Sequence, residues 1–180
     1  MTSRNIEYEI KIRVKNLDEI REKLTYLGAT LQGAGVEEDV YYQHPCRDFK
    51  ESDEALRIRN YGTIIELTYK GSRLPANIKA REEITVRILR EDYSKLKQLL
   101  EKLGFRSLAR IVKKREIYVY ENLTISLDEV EGLGSFMEVE AFTDHKEEAE
   151  ESIKNFLDLL GDIGEPVSQT YLEMMLTKRH

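Results

Sequence analysis

Two glutamates and a lysine alternate along the first apolar segment of the chain. Residues 6–12 read Ile-Glu-Tyr-Glu-Ile-Lys-Ile, and because side chains alternate faces along a strand, Glu7, Glu9 and Lys11 share one face. Carboxylates spaced about 7 Å apart along a strand suit a hard divalent cation, and a lysine one step further suits the anion that the cation carries. A half-exposed strand with a solvated charged face is the simpler explanation of this segment alone. The pattern indicates chemistry only if it recurs elsewhere.

The same alternation recurs in the other strand-like segments. Arginine and lysine cluster on the middle strands and carboxylates on the first and last, whereas an ordinary surface intersperses both signs. Arg57 with Arg59 and Lys113 with Arg115 form same-face pairs, a spacing that suits several phosphate oxygens. If the sheet closes with its apolar side outward, these charges line a tunnel; in an open sheet they face water. The residues alone leave both interpretations open.

Two similar halves position these residues, each a strand, a helix and three further strands. The predicted segments are strands Ile6–Val14, Val36–Gln43, Ala55–Asn60, Thr63–Lys70, Ile84–Leu89, Val112–Tyr120, Leu123–Val130 and Phe136–Phe142, and helices Leu17–Leu27 and Tyr93–Leu103. Asn16 is the predicted N-cap of the first helix, and Gly28 and Gly104 close the two helices. Eight strands with two crossover helices exclude a doubly wound parallel sheet. They predict a mostly antiparallel sheet, and eight strands suffice to close a barrel.

The remaining segments predict helices and mobile loops around the sheet. A third helix is predicted over Lys146–Leu160, a break over Gly161–Pro166, and a final short helix or strand over Ser168–Leu176. The polar loops Arg47–Asp53 and Gly71–Lys79 are long enough to move over a site.

Length and composition predict one domain over residues 1–180. The net charge of −6 argues against broad nucleic-acid binding. No segment has the apolar length of a membrane span, and the N-terminal region lacks a signal-peptide pattern. Cys46 is the single cysteine, so no intramolecular disulfide forms. We therefore expect a cytoplasmic protein without nucleic-acid or membrane partners.

Together the motifs resemble the CYTH superfamily, also called triphosphate tunnel metalloenzymes. The Glu-x-Glu-x-Lys signature that begins at Glu7 is weak alone. The motifs that accompany it in family order are Asp39-x-Tyr41-Tyr42, Leu56-Arg57-Ile58-Arg59, Leu67-Thr68-Tyr69-Lys70-Gly71, Arg81-x-Glu83, Lys113-x-Arg115, Leu127-Asp128-x-Val130 and Gly134-x-Phe136-x-Glu138-x-Glu140. The resemblance spans nearly the whole chain, and the run Asp128–Gly134 is most similar to the class IV adenylate cyclase-like branch.

The resemblance implies an α+β fold in which an eight-stranded, mostly antiparallel closed β-barrel forms a tunnel with helices packed outside. It implies Mg²⁺ or Mn²⁺ as cofactor, and as metal ligands Glu7, Glu9, Glu138 and Glu140, with Asp128 nearby. The residues that it implies for phosphate binding are Lys11, Arg57, Arg59, Lys70, Arg81, Lys113 and Arg115. Tyr41 and Lys70 match a Tyr–Lys pair that assists water attack in the thiamine triphosphatase branch, although barrel packing explains Tyr41 equally well. Lys70, Tyr41 and Asp128 are the expected catalytic residues, and Glu83 and Arg87 the expected partners of an ion pair in the tunnel wall.

Three functions remain open at this point. The leading hypothesis is a class IV adenylate cyclase-like reaction, in which the 3′-hydroxyl of ATP attacks the α-phosphorus and pyrophosphate leaves. The alternative is a triphosphatase, in which water attacks the terminal phosphorus of tripolyphosphate or thiamine triphosphate. The third hypothesis is a non-catalytic module that binds polyphosphate or a phosphorylated ligand. The sequence favours it least, because a pure anion binder has no use for four carboxylates in its pocket. The family also suggests a homodimer.

Overall fold

The strands of the chain form one antiparallel sheet, and two of its outer strands pair with each other to close a barrel. The computed structural model describes residues 6–75 and 77–178. Its strands are β1 (Ile6–Val14), β2 (Thr30–Gln43), β3 (Ala55–Tyr61), β4 (Ile64–Lys70), β5 (Lys79–Ile88), β6 (Arg106–Tyr120), β7 (Leu123–Val130), β8 (Gly134–Phe142) and β9 (Gly164–Pro166). Its helices are α1 (Leu17–Leu27), α2 (Tyr93–Lys102), α3 (Lys146–Leu160) and α4 (Tyr171–Lys178). No helix among these residues is long and apolar enough to cross a membrane.

The strand order is β5-β4-β3-β2-β6-β7-β8-β1, and an antiparallel pairing of β1 with β5 closes the ring. The short strand β9 attaches to β1 outside the ring. The sequence β1-α1-β2-β3-β4 is repeated as β5-α2-β6-β7-β8. The predicted eight-stranded antiparallel barrel with its two similar halves is therefore confirmed.

The first helix ends where the sequence predicts. The Asn16 side chain accepts a hydrogen bond from the Asp18 backbone N–H at 3.0 Å, which caps the N-terminus of α1. Gly28 follows the helix with φ of +83°, a conformation that glycine adopts without steric cost. Between these two ends, Ile20 and Leu24 are buried. They anchor α1 on the outside of the barrel.

Apolar residues on the outer faces of the strands are covered by three helices. Helices α1 and α3 pack on β1, β7 and β8, where the largest apolar core contains Ile20, Ile125, Val139 and Phe156. Helix α2 packs on β3 and β4 through a smaller core that includes Leu100. Burying one such side chain stabilises the fold by about 1.5–3 kcal/mol. Because the helices cover the apolar outer faces, the opposite, charged faces point into the barrel.

Helix α4 packs against one end of the barrel instead of its side. Tyr171 and Met174 join a core with Ile111, Val130 and Phe136, residues from β6, β7 and β8. The segment Ser168–Leu176, for which the sequence left helix and strand open, is thus partly helical from Tyr171.

Three strands begin at least five residues earlier than predicted. Strand β2 begins at Thr30, β5 at Lys79 and β6 at Arg106, and β9 lies in the predicted break. The extra residues of β2 include Gly33 and Gly35, and they gain strand structure by pairing with β6. These residues lack regular apolar alternation, so the pairing partner determines their conformation. A Cβ on Gly35 would lie 3.0 Å from the Tyr61 ring, which explains glycine at that position.

Candidate active site

The inner faces of the strands line a cavity of about 880 Å³, within the size range of small-molecule sites. Five acidic and five basic side chains of the described residues are buried, mostly along this tunnel. They are Glu7, Glu37, Asp39, Asp128, Glu138, Lys11, Arg57, Arg81, Lys113 and Arg115. Burying so many charges is costly unless each is paired or binds a ligand. Their pairing therefore indicates which of them have capacity left for a ligand.

Three carboxylates form a cluster at the junction of β1 and β8. Glu9 lies directly opposite Glu140 in the ladder, and oxygen atoms of Glu7, Glu9 and Glu140 all lie within 4.8 Å of one another. Burial raises the pKa of Glu7 to about 7. Burial and the neighbouring Glu7 raise the pKa of Glu140 well above its ordinary value. A hard divalent cation would relieve this repulsion, and carboxylate oxygens are the ligands that Mg²⁺ and Mn²⁺ prefer. The donor set fits the expected metal.

Glu138, the fourth predicted metal ligand, lies between two cations. Its carboxylate is 3.1 Å from Lys11 Nζ and accepts a hydrogen bond from the Arg115 guanidinium. Burial alone would raise the pKa of Glu138, but Lys11 and Arg115 lower it well below its ordinary value. Burial alone would likewise lower the pKa of Lys11, but Glu138 and Glu9 raise it. The structure thus brings three of the four predicted ligands together and places the fourth among the phosphate-binding candidates.

Two of the predicted phosphate-binding arginines are held in position by aspartates. Arg59 donates to both oxygens of Asp39, at 2.8 and 2.9 Å. Arg115 donates its Nε–H to Asp128 at 2.7 Å. Burial alone would raise the pKa of Asp39, but Arg59 and Arg57 hold it well below its ordinary value. These bidentate contacts orient the guanidinium groups along the tunnel.

Arg57 keeps donor capacity for a ligand. Its side chain is buried, and its Nε atom has no hydrogen-bond partner among the described residues. Its terminal nitrogens reach Thr68 at 3.5 Å and Asp39 at 4.0 Å, both long contacts. A buried guanidinium without partners at ordinary hydrogen-bond distance is costly. An anion in the cavity would satisfy it.

The cations on β4 and β5 contact acidic side chains at the wall and at the mouth of the tunnel. Lys70 contacts Glu83 and lies 3.4 Å from Glu7. Arg81 lies 3.4 Å from Asp53. Burial alone would lower the pKa of Lys70, but Glu7 and Glu83 raise it above its ordinary value. Lys70 is therefore a protonated cation beside the carboxylate cluster.

The expected ion pair between Glu83 and Arg87 is wrong. Residues four apart on a strand are separated by about 13 Å. The register instead places Glu83 opposite Lys70 and Arg87 opposite Glu66, with Arg87 Nε 3.5 Å from the Glu66 carboxylate.

Tyr41 lines the cavity, whereas Asp128 is not among its lining residues. Tyr41 is buried and lines the cavity with Lys70. Burial and the nearby Asp39 raise its pKa, so its hydroxyl is protonated. Asp128 is fully buried, accepts from Arg115 and from the Tyr171 hydroxyl at 2.8 Å, and lies 3.7 Å from Lys113. It lies on the cationic side of the tunnel.

Two buried residues of the site were not predicted from the sequence. Glu37 lies 3.1 Å from Lys113 and 3.3 Å from Arg59. The spacing Glu37-x-Asp39-x-Tyr41 repeats the alternation of β1 and was a usable signal. Tyr171 lies with its ring 4.0 Å from Lys11 Nζ. No local pattern indicates this contact, because α4 reaches the tunnel only through the tertiary fold.

Both predicted polar loops meet α4 at the tunnel mouth. Arg73, from the loop after β4, donates to Asp53 at 3.1 Å and also to Glu173. Asp53 has φ of +54°, a conformation that non-glycine residues adopt rarely. Glu173 in turn accepts from the Thr170 backbone N–H, and Thr170 Oγ1 accepts from the Glu173 N–H, which together form a capping box. One arginine therefore connects three elements around the opening.

Comparisons with known proteins agree with this architecture. The CYTH domain family matches residues 5–171. A Methanocaldococcus jannaschii protein named "putative adenylate cyclase" is 37% identical over 173 residues, which cover 94% of this chain and 98% of that protein. The solved structure of the PH1819 protein from Pyrococcus horikoshii is 42% identical, has a TM-score of 0.84, and is matched over 96% of this chain and 99% of its own.

A more distant structure shares the fold. It is a Hippeastrum protein described as a putative adenylyl cyclase with a dominant triphosphatase activity, 18% identical with a TM-score of 0.72 over 97% of this chain and 96% of that one. Because the family match spans most of the chain and the archaeal relatives are similar over their whole lengths, this protein belongs to the CYTH domain family.

Proposed function

We propose that this protein is a divalent-metal-dependent enzyme that acts on a triphosphate ester, and that it converts ATP to cyclic AMP and pyrophosphate. One observation carries the proposal: a cluster of three carboxylates faces buried cations across a single cavity. A site for a metal-bound polyphosphate needs both walls. The tunnel has no buried histidine or cysteine among the described residues, which favours an oxygen-bound hard cation.

Glu7, Glu9 and Glu140 would hold Mg²⁺ or Mn²⁺. When bound, the metal would neutralise phosphate charge and help the leaving oxygen to depart. Arg57, Arg59, Lys113 and Arg115 would bind the phosphate oxygens, with Arg59 held in position by Asp39 and Arg115 by Asp128. Catalysis at phosphorus consists mainly of such positioning and charge stabilisation.

The proposed reaction forms one bond and breaks one. The 3′-oxygen of ATP bonds to the α-phosphorus, the bond from that phosphorus to the bridging oxygen breaks, and pyrophosphate leaves. The hydroxyl proton is released to water. The name of the M. jannaschii relative, 37% identical along almost its whole length, supports cyclisation over other triphosphate chemistry.

Hydrolysis of a triphosphate is the second candidate. Tyr41 and Lys70 line the same cavity, with Lys70 beside the carboxylate cluster. A protonated Tyr41 hydroxyl and a charged Lys70 are suited to orient water at a terminal phosphate. The Hippeastrum protein, described as having a dominant triphosphatase activity, is an example of that activity on this fold.

A product assay separates the two reactions. Purified protein with Mg²⁺ or Mn²⁺ is given ATP, tripolyphosphate and thiamine triphosphate separately, and cyclic AMP, pyrophosphate and orthophosphate are resolved. We expect cyclic AMP and pyrophosphate in equal amounts from ATP. Orthophosphate from tripolyphosphate without cyclic AMP from ATP would replace the cyclase by the triphosphatase. No product from any substrate with either metal would leave the non-catalytic binding module.

A further inference from the structure

Lys79, which the sequence predicts in a polar loop, is the first residue of β5 and lines the tunnel. Because side chains alternate along a strand, it shares the inner face of β5 with Arg81 and Glu83. Its side chain is largely buried, with 13% exposed. Neither the proposed metal ligands nor the proposed phosphate contacts include this lysine. It is therefore an additional cation of the cavity wall.

The strand register places Lys79 beside the carboxylate cluster. Glu9 lies opposite Glu140 of β8 on one side and opposite Lys79 of β5 on the other. Neighbouring strands are about 4.8 Å apart, so Lys79 is one strand spacing from a proposed metal ligand. The arginines proposed to bind phosphate lie on β3 and β6. Lys79 thus lies on the same side of the tunnel as the proposed metal.

Lys79 and Lys11 share two acceptors. Their ammonium nitrogens lie 3.3 Å and 3.5 Å from the same oxygen of Glu9. They also lie 3.3 Å and 3.5 Å from the backbone carbonyl oxygen of Gln169. All four distances exceed the roughly 2.7–2.9 Å of a charge-assisted hydrogen bond. Two positive groups at long distance from one shared carboxylate are incompletely neutralised by it, so an anion near both would be stabilised.

The hydrogen-bond donors of Lys79 are not all used. An ammonium group carries three N–H donors, and Glu9 and Gln169 account for two of them among the described residues. A divalent cation on Glu9 would repel the adjacent ammonium group, because like charges a few ångströms apart oppose each other. A phosphate on that cation would bring negative charge and an acceptor for the third donor.

We infer that Lys79 is a further substrate-binding residue, which contacts oxygens of the phosphate group that the metal carries. The inference rests on the proposed function, because it takes Glu7, Glu9 and Glu140 as the metal ligands. It gives Lys79 opposite effects on the two ligands, since its charge opposes the metal and attracts phosphate. A lysine that only completed the packing of the tunnel wall would affect the binding of both ligands in the same direction.

Lys79→Met tests this difference, because methionine keeps most of the side-chain length and removes the charge. Calorimetry measures the binding of Mn²⁺ alone and of tripolyphosphate alone, independently of turnover. We expect tripolyphosphate to bind about tenfold more weakly, as the loss of one charge-assisted hydrogen bond implies. Mn²⁺ is expected to bind as tightly as in the wild-type protein or up to about threefold more tightly, because a cation next to a metal ligand is removed.

Three further variants keep the result interpretable. Lys79→Arg keeps the positive charge and is expected to bind tripolyphosphate within about threefold of the wild-type protein. Lys79→Gln keeps a donor for the Gln169 carbonyl, and it tests the charge if the methionine variant fails to fold. Lys114→Met is the matched control. Lys114 also lies 3.5 Å from a glutamate directly opposite on the neighbouring strand, Glu129, but its side chain is 74% exposed, and both affinities are expected to stay unchanged.

An unchanged tripolyphosphate affinity in both Lys79→Met and Lys79→Gln would overturn the inference. Parallel losses of Mn²⁺ and tripolyphosphate affinity, or a loss in Lys79→Arg as large as in Lys79→Met, would also overturn it.

Failure of this inference is distinguishable from failure of the proposed function. If the product assay shows no conversion but the uncharged variants lose tripolyphosphate affinity alone, Lys79 binds phosphate in a protein that is not an enzyme. If cyclic AMP forms and every variant binds tripolyphosphate like the wild-type protein, the enzyme is supported and Lys79 only neutralises Glu9.

Discussion

At the scale of single residues, the glutamates of β1 and β8 divide into two groups with different partners. Glu7, Glu9 and Glu140 lie close together; burial raises the pKa of Glu7, and burial together with repulsion from Glu7 raises the pKa of Glu140. Glu138 lies between Lys11 and Arg115, which outweigh the effect of burial and lower its pKa. Position in the sequence does not distinguish Glu138 from Glu140, since both lie on the inner face of β8. Their neighbours across the barrel distinguish them.

This division predicts different effects for two matched substitutions. Glu140→Gln removes a proposed metal ligand. Substitution of a residue that only hydrogen-bonds to a metal ligand weakens metal binding roughly 10–100-fold, and we expect Glu140→Gln to weaken Mn²⁺ binding by more than that. Glu138→Gln leaves the cluster intact and is expected to weaken Mn²⁺ binding less. It also frees two cations, so tripolyphosphate should bind at least as tightly without metal. Calorimetry with Mn²⁺ and with tripolyphosphate measures both effects. Equal loss of Mn²⁺ binding in both variants would show that Glu138 is a full ligand.

Asp39 predicts a pH-dependent contribution to stability. Its pKa in the folded protein is well below the ordinary value of 3.8. At a pH near or below 3.8 the unfolded chain therefore binds more protons at this residue than the folded protein does. The contribution of Asp39 to the free energy of unfolding is full above pH 3.8 and is lost as the pH falls toward the folded-state pKa. Asp39→Asn removes one partner of a buried ion pair, and we expect a loss of roughly 3 kcal/mol in the free energy of unfolding at pH 7.

The difference between the wild-type protein and Asp39→Asn should shrink on acidification. At pH 3 it should be smaller than at pH 7 by about 1 kcal/mol, since each pH unit below the ordinary pKa is worth about 1.4 kcal/mol. Urea unfolding at pH 7 and pH 3 measures it. A difference that stays constant would mean that the pKa of Asp39 is not lowered by folding.

At the scale of secondary-structure elements, Arg73 joins the two loops and α4 at the tunnel mouth. Its ion pairs with Asp53 and Glu173 are partly exposed, and exposed pairs contribute about 0–1 kcal/mol each. The three elements are therefore held together by weak contacts, although α4 itself is anchored by Tyr171 and Met174. We expect the mouth to open locally without unfolding of the barrel.

Arg73→Ala is expected to increase amide hydrogen exchange in residues 47–54 and 71–75 and to leave exchange in β7 unchanged. The free energy of unfolding should fall by less than about 2 kcal/mol, because only partly exposed ion pairs are lost. Lys154→Ala is the control, since it removes a surface ion pair within α3, with Asp158 at 3.2 Å. Unchanged exchange in both loops would show that Arg73 does not hold the mouth closed.

At the scale of the whole molecule, the barrel is closed by a short seam. Strand β1 pairs with β5 through four residue pairs, from Ile6 with Glu82 to Glu9 with Lys79. Strand β7 is paired on both sides, through eight residue pairs with β6 and seven with β8. Beyond Glu82, β5 has β4 as its paired neighbour among the described strands. The seam is thus the weakest part of the ring.

We expect amides of β5 to exchange before those of β7 at low denaturant concentration. Local openings require the loss of fewer hydrogen bonds at the seam than in the middle of a fully paired ladder. Native-state hydrogen exchange followed by mass spectrometry measures the order. Exchange in β7 before β5 would contradict the assignment of the weakest region.

The homodimer stays a prediction, which light scattering of the protein in solution tests.

Alternation of residue types along the strands is enough to place the tunnel residues on one face. This is possible because the two-residue period of a strand is a local geometric property. The two similar halves and the ends of α1 follow from equally local signals: apolar spacing, the Asn16 cap and Gly28. The longer extents of β2, β5 and β6 do not, since those residues are extended through pairing with strands distant in sequence.

The sequence by itself thus determined which side chains share a face and which charges the site contains. The tertiary structure alone decided that the sheet closes, that Glu138 lies with Lys11 outside the carboxylate cluster, that Glu83 pairs with Lys70 instead of Arg87, and that Tyr171 of α4 reaches the tunnel. These contacts join residues far apart in the chain. They depend on strand register and on the packing of α4 against the end of the barrel, which no local pattern of residues encodes.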